Sequence, residues 1–290
     1  MRFSIVVSAC GRDLLLKKAI ESVLAQDFRD FEVIVVDDAS LDSTMGLTRE
    51  FNDMRIKYLR TGKRSGLSVS RNLAMRKACG EYIIFIDDDA ALKGGFLTTL
   101  NGIICDTGLN VFSPKIVDPK DNKPFVEFSR DSGRKLIAFF DFNCFRGGAH
   151  VIKKAVFDKI GDYDERFGVG AKYHAAEESD YFFRLKQARE KVLYCPELVI
   201  LHPREENPSE KKVFNYSYGI AAMLTKHLIG DLRHSYIYFW IILRRILISL
   251  LRALQYDFFP NTIAFKNQVY KYRYFFKGTL SGIYDYIKLR

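Results

Sequence analysis

A short apolar run that ends in three consecutive carboxylates narrows most sharply what this chain can fold into. Tyr82-Ile83-Ile84-Phe85-Ile86 is long enough for a strand buried on both faces of a parallel sheet, and Asp87-Asp88-Asp89 follow at once. Adjacent carboxylates repel one another, so burying the strand does not by itself account for them. A hard divalent cation would neutralise them, since Mg²⁺ is commonly held by a carboxylate or two together with substrate phosphates. In open α/β sheets the ligand crevice lies outside the carboxyl ends of the strands, which is where the triplet falls. The competing reading is a solvated acidic loop.

The neighbouring sequence favours the sheet. Phe3 to Val7 reads as a first buried strand, and Asp13 to Gln26 as a helix with Leu15, Ala19, Ile20, Val23 and Leu24 on its apolar positions. Phe31 to Val36 is a second strand that again closes on acids, Asp37-Asp38, with Asp42 or Ser43 available to cap the next helix. Ile56 to Leu59 gives a third strand, the basic loop Gly62 to Gly66 follows, and a helix runs through Arg71-Asn72 to Ala78. Strand and helix alternating at short intervals predict a doubly wound, mostly parallel sheet.

Beyond Gly94 the pattern loosens. A helix to about Cys105, a strand at Val111 to Ser113, a polar excursion over 117–135 and strand material over Ala138 to Ile152 are expected. A helix from about Glu177 to Arg189 and two short strands, Val192 to Cys195 and Leu198 to Leu201, lead to His202-Pro203.

The remainder differs in kind. Of the formal charge of +10, the last 88 residues carry +8, from fourteen lysines and arginines against six acids. They also hold 18 of the 41 aromatic residues. Such a segment suits an anionic membrane surface or a nucleic acid. Tyr236 to Leu243 and Ile246 to Leu251 are apolar, but Arg244-Arg245 stand between them, and central arginines are costly in hydrocarbon. An amphipathic helix lying in the interface is expected, with Arg245, Ser249, Arg252 and Tyr256 as its polar stripe. Aromatic residues from Tyr270 to Phe276, alternating with Lys271, Arg273 and Lys277, suit the headgroup region. A helix packed back onto the rest of the chain is the alternative. Long apolar runs favour lipid over nucleic acid. Five scattered cysteines without a Cys-x-x-Cys pair point to reduced thiols in a cytoplasmic setting, and no leader pattern precedes the first strand.

Five features taken in order resemble the inverting nucleotide-sugar glycosyltransferases of family 2, with the GT-A fold. They are Ser4-Ile5-Val6-Val7-Ser8, Val35-Val36-Asp37-Asp38-Ala39-Ser40, Arg71-Asn72, Gly80-Glu81-Tyr82 through Asp89, and Gly161-Asp162-Tyr163-Asp164-Glu165 followed by Glu177-Glu178-Ser179-Asp180. The resemblance covers roughly residues 1–205. It implies a catalytic domain over 1–205, with a nucleotide-sugar half to about residue 92 and an acceptor half after it, and a membrane-associating helical appendage over 206–290. It places Ser8, Cys10 and Arg12 near the nucleobase, Asp38 on base or ribose, and Arg71 near the pyrophosphate with help from Lys63 and Arg64. Asp87 and Asp88 would contact the donor or metal-bound water. Asp89 and His202 would hold Mn²⁺ or Mg²⁺. The base that takes the acceptor's proton would lie in Glu177, Glu178 and Asp180, with Glu178 and Asp180 both open as the acting residue. The donor implied is a nucleoside-diphosphate sugar, UDP favoured, and the acceptor a saccharide, lipid-linked, used in cell-surface polysaccharide synthesis. The enzyme would work peripherally on the cytoplasmic face of a membrane, and a chain ending near Pro203 would be soluble but slow on lipid-linked acceptors.

Other classes fit less well. A nucleotide-dependent dehydrogenase needs Gly-x-Gly-x-x-Gly after the first strand, where this chain has Ser8-Ala9-Cys10-Gly11-Arg12-Asp13. A sugar-nucleotide pyrophosphorylase needs a Gly-rich first loop that is also absent. A binding or scaffold protein without turnover would have little use for a complete acid set at 87–89 and 177–180.

Overall fold

The structure is a computed structural model that describes residues 1–40, 44–125, 133–145, 148–205, 207–258 and 263–288, the side chains of 249–250, 252–258 and 263–272 excepted. Asp42, Ser43, part of the 117–135 excursion and the side chains of Ser249, Arg252, Tyr256, Tyr270 and Lys271 therefore lie outside the described residues. The chain divides into two compact units, Met1–Tyr163 with Tyr181–Arg204, and Asp164–Asp180 with Glu205–Arg290.

The first unit is built on a nine-stranded mixed sheet. Its elements in chain order are β1 (Phe3–Ala9), α1 (Asp13–Leu24), β2 (Phe31–Asp37), α2 (Thr44–Glu50), β3 (Ile56–Arg60), α3 (Leu67–Lys77), β4 (Tyr82–Asp87), β5 (Ala91–Leu92), α4 (Phe96–Thr107), β6 (Val111–Val117), β7 (Lys135–Leu136), β8 (His150–Lys153), α5 (Lys154–Ile160) and β9 (Val192–Leu201). Helix α6 (Glu177–Gln187) begins in the second unit and ends in this one. The sheet order is β3-β2-β1-β4-β8-β6-β9-β5, with β7 beside β9. β1 to β4 are parallel, as their continuous apolar runs require: Phe3, Ile5, Val7, Val33, Val35 and Ile84 are all fully buried. Burying such a side chain is worth about 1.5–3 kcal/mol, which makes these strands the centre of the unit's stability.

The sheet then reverses twice. β8 is antiparallel to both β4 and β6, so β6 and its parallel neighbour β9 run in the same sense as β4 again. The carboxyl ends of β1, β2, β4 and β9 consequently share one edge. The expected pair of strands around Pro196 is one strand, β9, which stays continuous through a register shift opposite Pro114/Lys115. The expected strand material over 138–152 resolves into a 3-10 turn at Phe139–Cys144 and the short β8. That stretch is aromatic-rich but not alternating, so its apolar side chains serve a turn as well as a strand.

The second unit contains α7 (Glu210–Gly230), α8 (Ser235–Phe258) and α9 (Ile263–Lys288), together with the segment 164–180. The division expected at 205/206 differs from this one, because 164–180 joins the carboxyl-terminal helices. Its side chains explain why: Lys226 of α7 bonds both Asp164 and Asp180. α7 and α9 meet backbone to backbone. A Cβ on Gly278 would meet Phe214 and Ser217, and one on Gly282 would overlap the Tyr218 carbonyl. Small residues allow that approach in the way small-xxx-small spacings do elsewhere. Among the described residues, no helix is long and apolar enough to cross a membrane.

Candidate active site

The carboxyl edge of the first unit gathers most of the residues singled out from the sequence. Asp87 ends β4 and pairs in register with Ser8 of β1. Asp88 and Asp89 follow, and His202 stands just past β9, its amide bonded to the Val117 carbonyl. His202 Nδ1 lies 2.8 Å from the Pro203 carbonyl, so the ring donates there and turns Nε2 toward the acids. Nε2 is 3.3 Å from Asp89 Oδ1 and 3.6 Å from Asp87 Oδ2.

Asp87, Asp89 and His202 each offer a ligand atom, and all three lie within 4.8 Å of one another. Asp89 Oδ1 is buried and among the described residues accepts no hydrogen bond of good geometry, His202 Nε2 approaching it at 3.3 Å, so it is an oxygen that a cation could bind. Carboxylate oxygens with one imidazole are compatible with Mn²⁺ or Mg²⁺. The residues therefore fit a divalent ion.

The electrostatics are uneven across the triplet. Burial works to raise the Asp87 pKa, but His202 and Arg71 outweigh it and hold the carboxyl below its usual range. Burial also works against a charged His202, yet Asp87 and Asp89 raise its pKa. Asp88 is pushed up to about 6 by burial and by its two acidic neighbours, against the pull of Arg12.

Arg12 and Arg71 both pair with the acid triplet. Arg12, expected at the nucleobase, spans the triplet: Nη1 donates to Asp89 at 2.6 Å and the other guanidinium nitrogens bond Asp88. Arg71 is only 2% exposed, with its guanidinium 5.7 Å from both the Phe85 and Tyr163 rings and 3.5 Å from Asp87 Oδ1. It acts on Asp87 from beneath. Next to it, Asn72 bonds the Tyr163 backbone twice, donating to the carbonyl at 3.0 Å and accepting from the amide at 2.8 Å. That pair explains why Arg71-Asn72 and Gly161-Asp162-Tyr163 occur together.

Asp38 is turned to the loop before α3. Its oxygens accept from Thr61 Oγ1 and from the Ser65 and Gly66 amides at 2.8–2.9 Å. It fixes that loop, and Ala39 beside it takes a left-handed φ of 52°. Cys10 Sγ lies by the Asp38 carbonyl, and Ser8 Oγ is buried without a hydrogen-bond partner among the described residues.

One contributor escaped the sequence reading. Gly148, at φ 70°, lies so close to Asp87 that a Cβ there would overlap its carboxylate. Its neighbours in sequence give no sign of this, since the constraint comes from Asp87, 61 residues earlier in the chain.

In the second unit, Glu177, Glu178 and Asp180 occupy the first turn of α6, where the helix dipole favours negative charge. All three are buried. The turn before them is strained, with His174 and Ala176 at φ 61° and 75°. Asp180 Oδ1 accepts from Lys226 Nζ at 2.6 Å and lies 2.9 Å from His227 Nε2. Lys226 also reaches Asp164 at 2.8 Å, and Arg166 bonds the same carboxylate. Lys226 and His227 had no motif to mark them.

Residues 4–163, more than half of the chain, match the profile described as Glycosyl transferase family 2. The chain belongs to that family. A relative, GalNAc(5)-diNAcBac-PP-undecaprenol beta-1,3-glucosyltransferase of Campylobacter jejuni, is 36% identical over 124 residues, which is 42% of this chain and 40% of that protein. The chain spans smaller shares, 14–16%, of the next curated relatives. Among solved structures, TarS 1-349 of S. aureus in complex with UDP-GlcNAc is 14% identical with a TM-score of 0.67, covering 100% of this chain and 93% of that one. The mannosyltransferase PcManGT of Pyrobaculum calidifontis, in complex with GDP-Man and Mn²⁺, is 16% identical with a TM-score of 0.67, covering 98% and 87%. The GT-A type fold expected of this family 2 chain is therefore present.

Proposed function

We propose that this family 2 chain is an inverting glycosyltransferase that moves a sugar from a nucleoside-diphosphate donor, a UDP-sugar by preference, to a hydroxyl of a lipid-linked saccharide in cell-surface polysaccharide synthesis. The observation that carries it is the Asp87–Asp89–His202 cluster at the carboxyl edge of the sheet, whose ligand atoms all lie within 4.8 Å of one another. Asp89 and His202, with Asp87, would hold Mn²⁺ or Mg²⁺, and the bound ion would stabilise charge on the departing nucleoside diphosphate. Ser8, Cys10 and Arg12 line the donor side, Arg12 with its guanidinium on Asp88 and Asp89. Asp38 fixes the loop that borders the donor, and Arg71 holds Asp87 in place.

Inversion needs a carboxylate that takes the acceptor's proton as its oxygen attacks. By its place in the family motif Glu178 is assigned as the base, while Asp180 Oδ1 is held by Lys226 and His227. Glu177 supports the charge of that turn. The acceptor assignment draws on relatives named for undecaprenol-linked substrates. A lipid-linked acceptor implies work at the cytoplasmic face of a membrane, bound peripherally.

Incubation with a panel of nucleotide sugars and Mn²⁺, following release of the nucleoside diphosphate, tests the activity. Glu178→Gln should bind donor normally while turnover falls by about 10² to 10⁴. An active Glu178→Gln beside an inactive Asp180→Asn would reverse their roles.

A further inference from the structure

We propose that the exposed stripe of α8 is a lipid-binding surface that seats the chain in the interfacial layer of an anionic bilayer, with Trp240 entering the lipid. This rests on the reading of the acceptor as lipid-linked, and it names the surface that reading leaves open.

The exposed side chains described along α8 are Tyr236, Phe239, Trp240, Arg244, Leu247 and Leu251. Steps of four, four, three and four link Tyr236, Trp240, Arg244, Leu247 and Leu251, which places them on one helix face, with Phe239 flanking it. Tyr236 is 61% and Trp240 58% exposed. Just ahead of the helix, Leu232 and Arg233 are exposed as well. No acid and no small polar residue occurs among them.

A water-facing helix normally carries acids, amides and lysines there, and a contiguous apolar face marks a surface with something to cover it. Helix α9 repeats the composition independently. Its exposed, described residues are Arg273, Lys277, Leu280, Tyr284, Ile287 and Lys288, again apolar, aromatic or basic and spaced as a helix face. Among the described residues of α9 the one acid, Asp285, accepts from the Tyr218 hydroxyl at 2.9 Å.

Charge selects the occupant. A second copy docked face to face would bring the same patch against itself, with no acid among the described exposed residues of the patch to pair its arginine. Anionic headgroups supply the missing negative charge, Trp and Tyr favour the depth of the headgroups, and arginine can bury its stem while its guanidinium stays among the phosphates. The stripe expected from sequence is thereby corrected in one respect. Arg245 is not its basic member, because its guanidinium stacks 4.3 Å from the Phe275 ring of α9. Arg244 faces outward instead.

Trp240 is the chain's sole tryptophan, so its fluorescence reports this face alone. Phosphatidylcholine vesicles with and without phosphatidylglycerol should be added to the full chain at low and high salt, with flotation measured in parallel. The expected result is a shift of Trp240 emission to shorter wavelength and co-flotation with the phosphatidylglycerol vesicles, weakened by salt. Phe239→Ser combined with Leu247→Ser should abolish both, and Arg244→Glu should remove the preference for phosphatidylglycerol. Absence of the shift and of flotation at low salt overturns the proposal, as does flotation unchanged in the Phe239/Leu247 variant. A shift that follows protein concentration without vesicles also overturns it, in favour of a second copy. Calorimetry of UDP with Mn²⁺ on the same samples should be unaffected by these substitutions. Loss of lipid binding and failure of the catalytic reading are thus separate results.

Discussion

At the scale of single residues, the site depends on how Asp87 is held. Arg71 bonds it, His202 faces it, and Gly148 packs against it with no room for a Cβ. Gly148→Ala should therefore fold but displace the carboxylate. The expected outcome is a lowered thermal midpoint, because φ 70° strains any side chain there, together with cation-assisted UDP affinity reduced at least tenfold in the folded protein, read by calorimetry. The acid triplet was legible in the sequence because its members are consecutive. Arg12's bonds to Asp88 and Asp89 were not, since those partners lie 76 and 77 positions away in the chain. A second prediction concerns Asp164. Burial alone would raise its pKa, but bonds from Arg166 and Lys226 hold it well below the carboxylate range. A depressed folded pKa contributes stability in full above the unfolded value of about 3.9, and loses it as pH falls toward the folded one. Asp164→Asn should be less stable than wild type at neutral pH in urea. That difference should shrink only as pH drops below about 4.

At the scale of elements, the parallel strands were legible from their unbroken apolar runs, and α1 and α6 from helical spacing. β8 was less so. A four-residue strand that inserts antiparallel between β4 and β6 carries too short a pattern to separate it from the aromatic turn before it. Its insertion nonetheless sets the direction of β9 and so brings His202 to the edge that holds Asp87. The crossing of α7 and α9 was invisible for another reason, because Gly278 and Gly282 read as weak helix formers unless the opposing backbone is known. Gly282→Ala would press a methyl group on the Tyr218 carbonyl, an overpacking that costs about 1–3 kcal/mol. A lowered melting midpoint with unchanged UDP affinity is the expected result.

At the scale of the whole molecule, the sequence suggested a catalytic domain followed by an appendage, and the second compact unit takes in 164–180 as well as 205–290. The segment 164–180 is polar and glycine-bearing, and reads as a loop of the first domain. Its partners Lys226 and His227 come some 46 residues after Asp180, a distance no local pattern reports. A chain ending at Arg204 would strip those partners away. It should therefore show a protease-sensitive 164–180 segment and no transfer, and not the slow activity expected of a tether's removal; limited proteolysis beside a transfer assay distinguishes the two. The central claim is that the acids ending β4, with His202, hold a divalent cation for a nucleoside diphosphate. Calorimetry of UDP with and without Mn²⁺, on wild type and Asp89→Ala, tests it most directly. Affinity that rises with Mn²⁺ in wild type and loses that rise in the variant is the predicted result, and equal affinities in both proteins under both conditions would contradict it.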